Sequence, residues 1–364
     1  MSIKRFYAIK DNTITNAFQP GLTSRAINSN MGSSDILEAF SIYGQASSDS
    51  LEKSRILLKF STDEISTLRQ SGTLPDAGSV KFKLKLFNAT HSETLPKDFT
   101  LTTHVVTTDW SEGSGLDMES YSDLGSSNWV SASTVAAWTT PGGDFMEQDY
   151  RKEFSLTTGV EDVDVDITDI VEDWLNNTNS NHGLMVKLTG SFEDGSLKRS
   201  YYTKRFFARG SQYFFKRPII EAQWDSSEQA DLPDGYVQQD NYVYAINNLK
   251  TEYKNYETAK ISVYTRLKNW QPNIYTKASQ KSPVDIVDDS YYKVTRISDG
   301  LVVIPYSYDD STPYTKMSYN SSGSYFDLDM SIFEPGYMYE LCFTRKKEGK
   351  IIEQEERFRF RVSK

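Results

Sequence analysis

Three histidines, His91, His104 and His182, and one cysteine, Cys342, are the residues best suited to bind a metal or to attack a substrate. They are widely separated, and neither a C-x-x-C nor an H-E-x-x-H spacing occurs, so no zinc site is predicted. The chain also has no G-x-S-x-G elbow and no G-x-x-x-x-G-K-[ST] phosphate loop. Cys342 stands in an apolar run and reads as a small core residue rather than a nucleophile. The expectation is a non-enzymatic protein with no cofactor. Carboxylates are the remaining chemical resource. Asp117, Glu119, Asp123 and Asp144 could offer oxygen ligands to Ca²⁺, but their spacing matches no EF-hand, and solvated loop acids are the simpler account. Asp162, Asp164 and Asp166 alternate with apolar residues and fall on one face of a strand.

Aromatic and basic residues suggest binding more than catalysis. Trp110, Tyr121, Trp129 and Trp138 could form a platform for a glycan or a protein partner, or could be buried anchors that pin a long loop to a sheet. The run from Lys198 to Pro218 holds seven cations without one acid, interleaved with aromatics. Lys204, Arg205, Arg209, Tyr213 and Lys216 are its candidate interface residues. Such a run could serve single-stranded nucleic acid or an acidic protein partner. It could equally be a strand with aromatics inward and cations outward.

The elements that must position these residues are short strands. Val80, Phe82, Leu84 and Leu86 alternate with Lys81, Lys83 and Lys85, the period-2 pattern of a half-buried strand with a solvated lysine face. Ser54–Phe60, Val160–Ile167, Gly183–Leu188 and Pro218–Trp224 also read as strands. Two short helices are expected. One begins at Ser61–Glu64, where S-x-x-E gives a capping box, buries Ile65 and Leu68, and stops at Gly72. The other runs from Asp169 to Leu175 with a stripe of Ile167, Ile170, Val171, Trp174 and Leu175. Between Trp110 and Asp149 a Gly, Ser and Trp-rich stretch shows little periodicity, as expected of a packed excursion or a functional loop. The polar, acidic segment 225–240 reads as a linker. Beyond it, about seven strand candidates over residues 241–364 suggest an immunoglobulin-like sandwich.

Composition supports that class. The 364 residues carry 40 basic and 50 acidic side chains, a formal charge of −10, which argues against a general nucleic-acid binder. No apolar run approaches the roughly 20 residues needed to span a bilayer. Met1–Lys10 has charges but no apolar stretch behind them, so no secretory leader is predicted. A lone cysteine makes no internal disulfide, which fits a reducing compartment. Tyr 23, Phe 19 and abundant polar turn residues favour strands over a helical bundle.

The order of segments carries a resemblance. Asn30-Met31-Gly32, Arg55–Phe60, Trp110-Ser111-Glu112-Gly113, Asn128-Trp129, Trp138, Gly142-Gly143-Asp144, Val165–Leu175, Gly183-Leu184 and Phe206–Arg209 before Arg217-Pro218 together resemble the DNRLRE-type β-sandwich modules. The match covers about residues 11–224, with the strand-helix segment ending in Asp173-Trp174-Leu175 its most specific part. The runs Lys4–Phe18 and Ser200–Gly210 are similar to virion structural proteins of large contractile-tailed bacteriophages. The resemblance implies a jelly-roll-like, non-catalytic docking domain and carries no catalytic residue onto this sequence.

The expected protein is all-β. A jelly-roll-like β-sandwich with two short helices (1–224) is followed by a linker (225–240) and an immunoglobulin-like β-sandwich (241–364). Its expected role is that of an accessory component of the tail or baseplate, neck or head surface of a tailed phage, assembled in host cytoplasm. Its partners would be other virion proteins and copies of itself, with neither nucleic acid nor membrane. The alternative is a glycan-binding adhesion module using Trp129 and Trp138.

Overall fold

The computed structural model describes the chain except for residues 1, 49, 93, 94, 118, 199, 200, 232–240, 272, 276–283, 309, 310 and 348. The fold is all-β, and its complete α-helices among the described residues are two short ones. In the first part of the chain the strands are β1 (Ile3–Tyr7), β2 (Lys10–Thr15), β3 (Ile36–Tyr43), β4 (Leu51–Lys59), β5 (Val80–Leu86) and β6 (Phe99–Val105). They continue with β7 (Lys152–Leu156), β8 (Val163–Asp166), β9 (Leu184–Leu188), β10 (Tyr201–Phe207) and β11 (Ile219–Trp224). Helix α1 (Asp63–Gln70) follows β4, and α2 (Thr168–Leu175) follows β8. One sheet has the order β1-β11-β5-β8; the other runs β10-β3-β4-β9-β6-β7, with β2 also paired to β4.

The period-2 pattern of β5 places its apolar residues in the core, with Val80, Phe82, Leu84 and Leu86 all buried. Its lysine face is not simply solvated. Lys83 and Lys85 stand opposite Asp166 and Asp164 of β8 in register, with ion pairs Lys83–Asp164 (3.2 Å) and Lys85–Asp164 (3.5 Å). Lys85 (2.8 Å) and Arg5 (2.8 Å) also hold Glu221, which is 1% exposed. The lysine face and the aspartate face are thus one charge-paired surface.

Strand β4 shows why Ile56-Leu57-Leu58 is an unbroken apolar run: each is 0% exposed, although successive side chains point to opposite faces. Leu57 belongs to a cluster with Ile14, Val106, Trp110, Trp129, Ala132, Trp138 and Met185, so the long loop covers this face of the sheet.

The helices form where expected, with different caps. Thr62 caps α1 without a side-chain bond, and Ser61 Oγ accepts the Asp63 N–H (3.2 Å). Ile65 is fully buried, whereas Leu68 is only partly covered. Ile167, not Asp169, is the cap of α2, and the Asp166 carboxylate accepts the Thr168 N–H (2.9 Å). Arg69 of α1 grips both oxygens of Glu172 of α2 at 2.6 and 2.7 Å.

Among the described residues the second part of the chain has ten strands. They are β12 (Tyr242–Ile246), β13 (Glu252–Lys254), β14 (Thr258–Leu267), β15 (Ser290–Arg296), β16 (Val302–Ile304), β17 (Ser318–Asn320), β18 (Gly323–Asp329), β19 (Met338–Lys347), β20 (Lys350–Glu353) and β21 (Phe358–Ser363). They make a sheet β12-β14-β18-β17 and a sheet β13-β21-β19-β15-β16, with β20 on β19 and the β13–β21 pair parallel. Aromatics fill this core: Tyr292 stacks on Phe326 (4.1 Å) and Tyr244 on Phe343 (5.6 Å). Cys342 is 3% exposed in β19, and burial pushes its thiol pKa up. Ser298-Asp299-Gly300 makes the expected turn with Gly300 at φ +70°, held by Arg296 on Asp299 (2.6 Å). In the turn expected at Lys347-Glu348-Gly349, residue 348 lies outside the described residues.

By contacts the chain divides into two compact units: Arg5–Ala77 with Lys81–Glu221, and Ala222–Lys364 with Met1–Lys4 and Gly78–Val80. Residues 232–240 of the expected linker lie outside the described residues.

Candidate interaction surface

Within the basic-aromatic run, whose residues 199 and 200 lie outside the described residues, Tyr201–Phe207 forms β10 against β3, with Arg205 opposite Glu38 and Lys204 opposite Ala39. Alternation sends these two neighbouring cations to opposite faces. Arg205 donates from Nε to Glu38 Oε1 (3.0 Å), which also accepts the Thr203 hydroxyl (2.5 Å). Lys204 is 1% exposed and donates from Nζ to Asn88 Oδ1 (2.7 Å) and to the Gly159 carbonyl (2.9 Å). It is therefore not available to a partner, a correction to its reading as an interface cation. Lys216 lies over the Phe87 ring at 5.3 Å. Tyr213 packs edge-on against Phe207 (5.3 Å) yet stays 55% exposed.

Arg209 connects the run to the long loop. Its guanidinium donates to both oxygens of Glu112 at 2.6 and 2.5 Å, and its N–H donates to Asp11 Oδ2 at 2.6 Å. Glu112 Oε1 in turn accepts the Asp11 N–H (2.7 Å). Asp11 is 1% exposed, and burial, reinforced by the Glu112 charge, outweighs Arg209 and pushes its carboxyl pKa up to about 7.

The loop itself is tied down by Asn30, which is 0% exposed. Its Nδ2 donates to the carbonyls of Glu112 (2.7 Å) and Ser127 (2.8 Å). Its Oδ1 accepts from Gly32 N (3.2 Å) and Gly115 N (2.9 Å). A Cβ at Gly115 would stand 1.9 Å from the Asn30 carbonyl oxygen, so glycine is required by close approach. Neighbouring Asn12 donates to Ser127 and accepts the Met31 N–H (3.0 Å).

Within the loop the tryptophans are anchors. Trp110, Trp129 and Trp138 are 1%, 8% and 5% exposed. The indole N–H of Trp110 donates to the His182 carbonyl (2.9 Å), and that of Trp138 to the Asn128 carbonyl (2.8 Å). None presents a free face to a sugar ring, which corrects the stacking-platform reading of Trp129 and Trp138. Tyr121, at φ +53°, is partly buried, and burial together with the Glu38 charge pushes its hydroxyl pKa up.

The loop acids are occupied by donors from the chain. Asp117 accepts N–H groups from Glu119, Ser120 and Ser122 and the Ser122 hydroxyl. Despite the opposing effect of burial, these bonds hold its pKa well below the ordinary range. Asp123 accepts from Leu116 and Asp117 N–H groups. Asp144 accepts from Thr139 N, Thr140 N and the Thr108 hydroxyl. Glu119 is exposed. Among the described residues no group of three or more His, Cys, Asp or Glu side chains is arranged to hold a metal ion. His104 meets the Met146 carbonyl (2.9 Å) and the Thr102 hydroxyl (3.0 Å).

The long loop also turns apolar side chains outward: Leu116, Leu124 and Val135 are 64%, 77% and 94% exposed. Sequence reasoning pointed to Arg209 and the loop but missed Asp11, Asn30 and Glu112 as the residues that join them. Their separation along the chain leaves no local signal.

None of the protein-family models matches this chain, and neither does any curated protein. Among solved structures, a DUF4785 family protein from Legionella pneumophila is similar over 99% of this chain and 65% of its own, at 9% identity and TM-score 0.20. The Parabacteroides merdae β-glucuronidase is matched over 84% of this chain and 28% of its own, at 10% identity and TM-score 0.19. This chain thus spans less than two thirds of either protein. The tripod (BppUct-A-L) from the baseplate of bacteriophage Tuc2009 is matched over 98% and 99%, at 9% identity and TM-score 0.16. Likenesses at such TM-scores assign no function.

Proposed function

We propose that the chain is a non-enzymatic structural component of a tailed-bacteriophage particle, acting through protein-protein contacts at the tail or baseplate, neck or head surface. The observation that supports this most is the fate of the chemically able side chains in the first unit. Asp11, Glu112, Arg209 and the loop acids bond to one another or to backbone, bracing a long loop whose outward residues include Leu116, Leu124 and Val135. A loop held this firmly docks with little ordering cost, which suits a permanent assembly. The resemblance of the runs 4–18 and 200–210 to phage virion structural proteins is what suggests the location.

The test is mass spectrometry of purified particles together with immunogold microscopy using antibody to residues 241–364. Labelling at one place on the particle is the expected result. Absence of the chain from particles overturns the assignment. Leu124→Ser, with Tyr213→Ala as a second variant, should lower incorporation of folded protein. Charge reversal of Arg205 or Arg209 is unsuitable here, because both residues brace the fold.

A further inference from the structure

Lysine is seldom fully buried without a counter-ion. Lys204 is 1% exposed, and its Nζ donates to two neutral oxygens, Asn88 Oδ1 at 2.7 Å and the Gly159 carbonyl at 2.9 Å. Neither acceptor is a carboxylate. The Phe206 ring lies 5.3 Å from Nζ. A hydrophobic side chain would fill this space at lower desolvation cost, so the amine calls for a chemical explanation.

We propose that Lys204 and Asn88 join in an intramolecular amide bond between Nζ and Cγ. Both partners are held in place. Asn88 follows β5 and bridges to Phe206 of β10, two residues beyond Lys204. On either side of that bridge the Ala89 N–H donates to the Arg205 carbonyl (3.0 Å) and the Phe207 N–H to the Phe87 carbonyl (3.1 Å). The Asn88 N–H donates to Asp162 Oδ1 at 2.7 Å. The segment 157–162 that supplies Gly159 and Asp162 is clamped by Glu161 Oε1, which accepts from Thr157 and Thr158. Glu161 Oε2 is buried with no hydrogen-bond partner among the described residues. With Nζ on Oδ1, the carbonyl carbon is one C=O bond, about 1.2 Å, further on.

The step balances without a co-reactant. Neutral Nζ adds to Cγ of Asn88, one Nζ proton passes to Nδ2, the Cγ–Nδ2 bond breaks, and ammonia leaves. Burial raises the share of neutral amine by pushing the Lys204 pKa down to about 8 against the opposing Glu161 and Asp162 charges. Glu161 is the positioning residue: its Oε1 holds the segment that presents the Gly159 carbonyl to Nζ. The product ties the end of β5 to β10. This inference goes beyond the virion assignment and does not depend on it.

Intact-mass spectrometry of the purified full chain tests it. The expected mass is about 17 Da below that of the sequence, the mass of ammonia, with a branched tryptic peptide containing both Asn88 and Lys204. Lys204→Arg and Asn88→Ala should each restore the mass expected from their sequence. Glu161→Ala, which releases the clamp on the Gly159 segment, should slow the mass loss in freshly made protein by about ten-fold or more. A wild-type chain at its full sequence mass, or a loss of ammonia mapped to other residues, overturns the proposal.

Discussion

Arg209 forks onto Glu112 at 2.6 and 2.5 Å while its own N–H holds Asp11, joining residues 97 and 198 positions apart in the chain. The two segments that looked most like separate contact surfaces, the basic-aromatic run and the long loop, are partners of each other. Arg209→Ala should lower stability by about 1–3 kcal/mol, because it leaves the Glu112 carboxylate facing buried Asp11. Urea unfolding of the variant measures this; an unchanged midpoint would show the fork to be incidental.

Asp11 makes the fold sensitive to pH in an unusual direction. Its folded pKa, about 7, lies above the ordinary aspartate value, so the folded state holds the proton more tightly than the unfolded chain. Its contribution is fully present below about pH 4, declines as pH rises from there to about 7, and is absent above. Asp11→Asn should flatten that decline while keeping an acceptor for the Arg209 N–H. Stabilities compared at intervals across this range check it, and an identical slope in the two proteins counts against the assignment.

Glu221 acts with the opposite sign. Its burial, which alone would raise the pKa, is overcome by Arg5 and Lys85, and the carboxyl is held down at about 2. The stability it contributes is therefore present above about pH 4 and is lost as pH falls toward 2. Glu221→Ala should cost about 3–5 kcal/mol by leaving two cations beside an emptied buried site. Thermal melts at neutral and acidic pH distinguish this outcome, since the variant's deficit should shrink in acid.

Asn30 should be the residue on which the packing of the long loop depends. Asn30→Ala removes four hydrogen bonds made by a fully buried side chain, with an expected cost of about 2–4 kcal/mol. Limited proteolysis should then cut within residues 110–149 well before the remainder of the chain. Cleavage at the wild-type rate would mean that the tryptophan anchors alone hold the loop.

Several elements were legible in the sequence because their cause is local. The alternation of Val80, Phe82, Leu84 and Leu86 requires only that strand side chains alternate in direction. The stripe of α2 requires only the helical period, and Ile170, Val171 and Trp174 are indeed buried. The strands β13, β17 and β20 left no comparable trace, since three or four residues cannot display a period.

Which way each cation points, and what it meets, depends on how the strands pair. Lys204 and Arg205 are both plausible surface cations by type, but the pairing of β10 with β3 sends one into the protein and the other to Glu38. The same holds for Asp11, Asn30, Glu112 and Arg209, whose roles arise only when distant segments meet. Residue type and spacing set local conformation through nearby sterics and hydrogen bonds. Burial and charge pairing depend on long-range contacts, and these exist only in the folded chain.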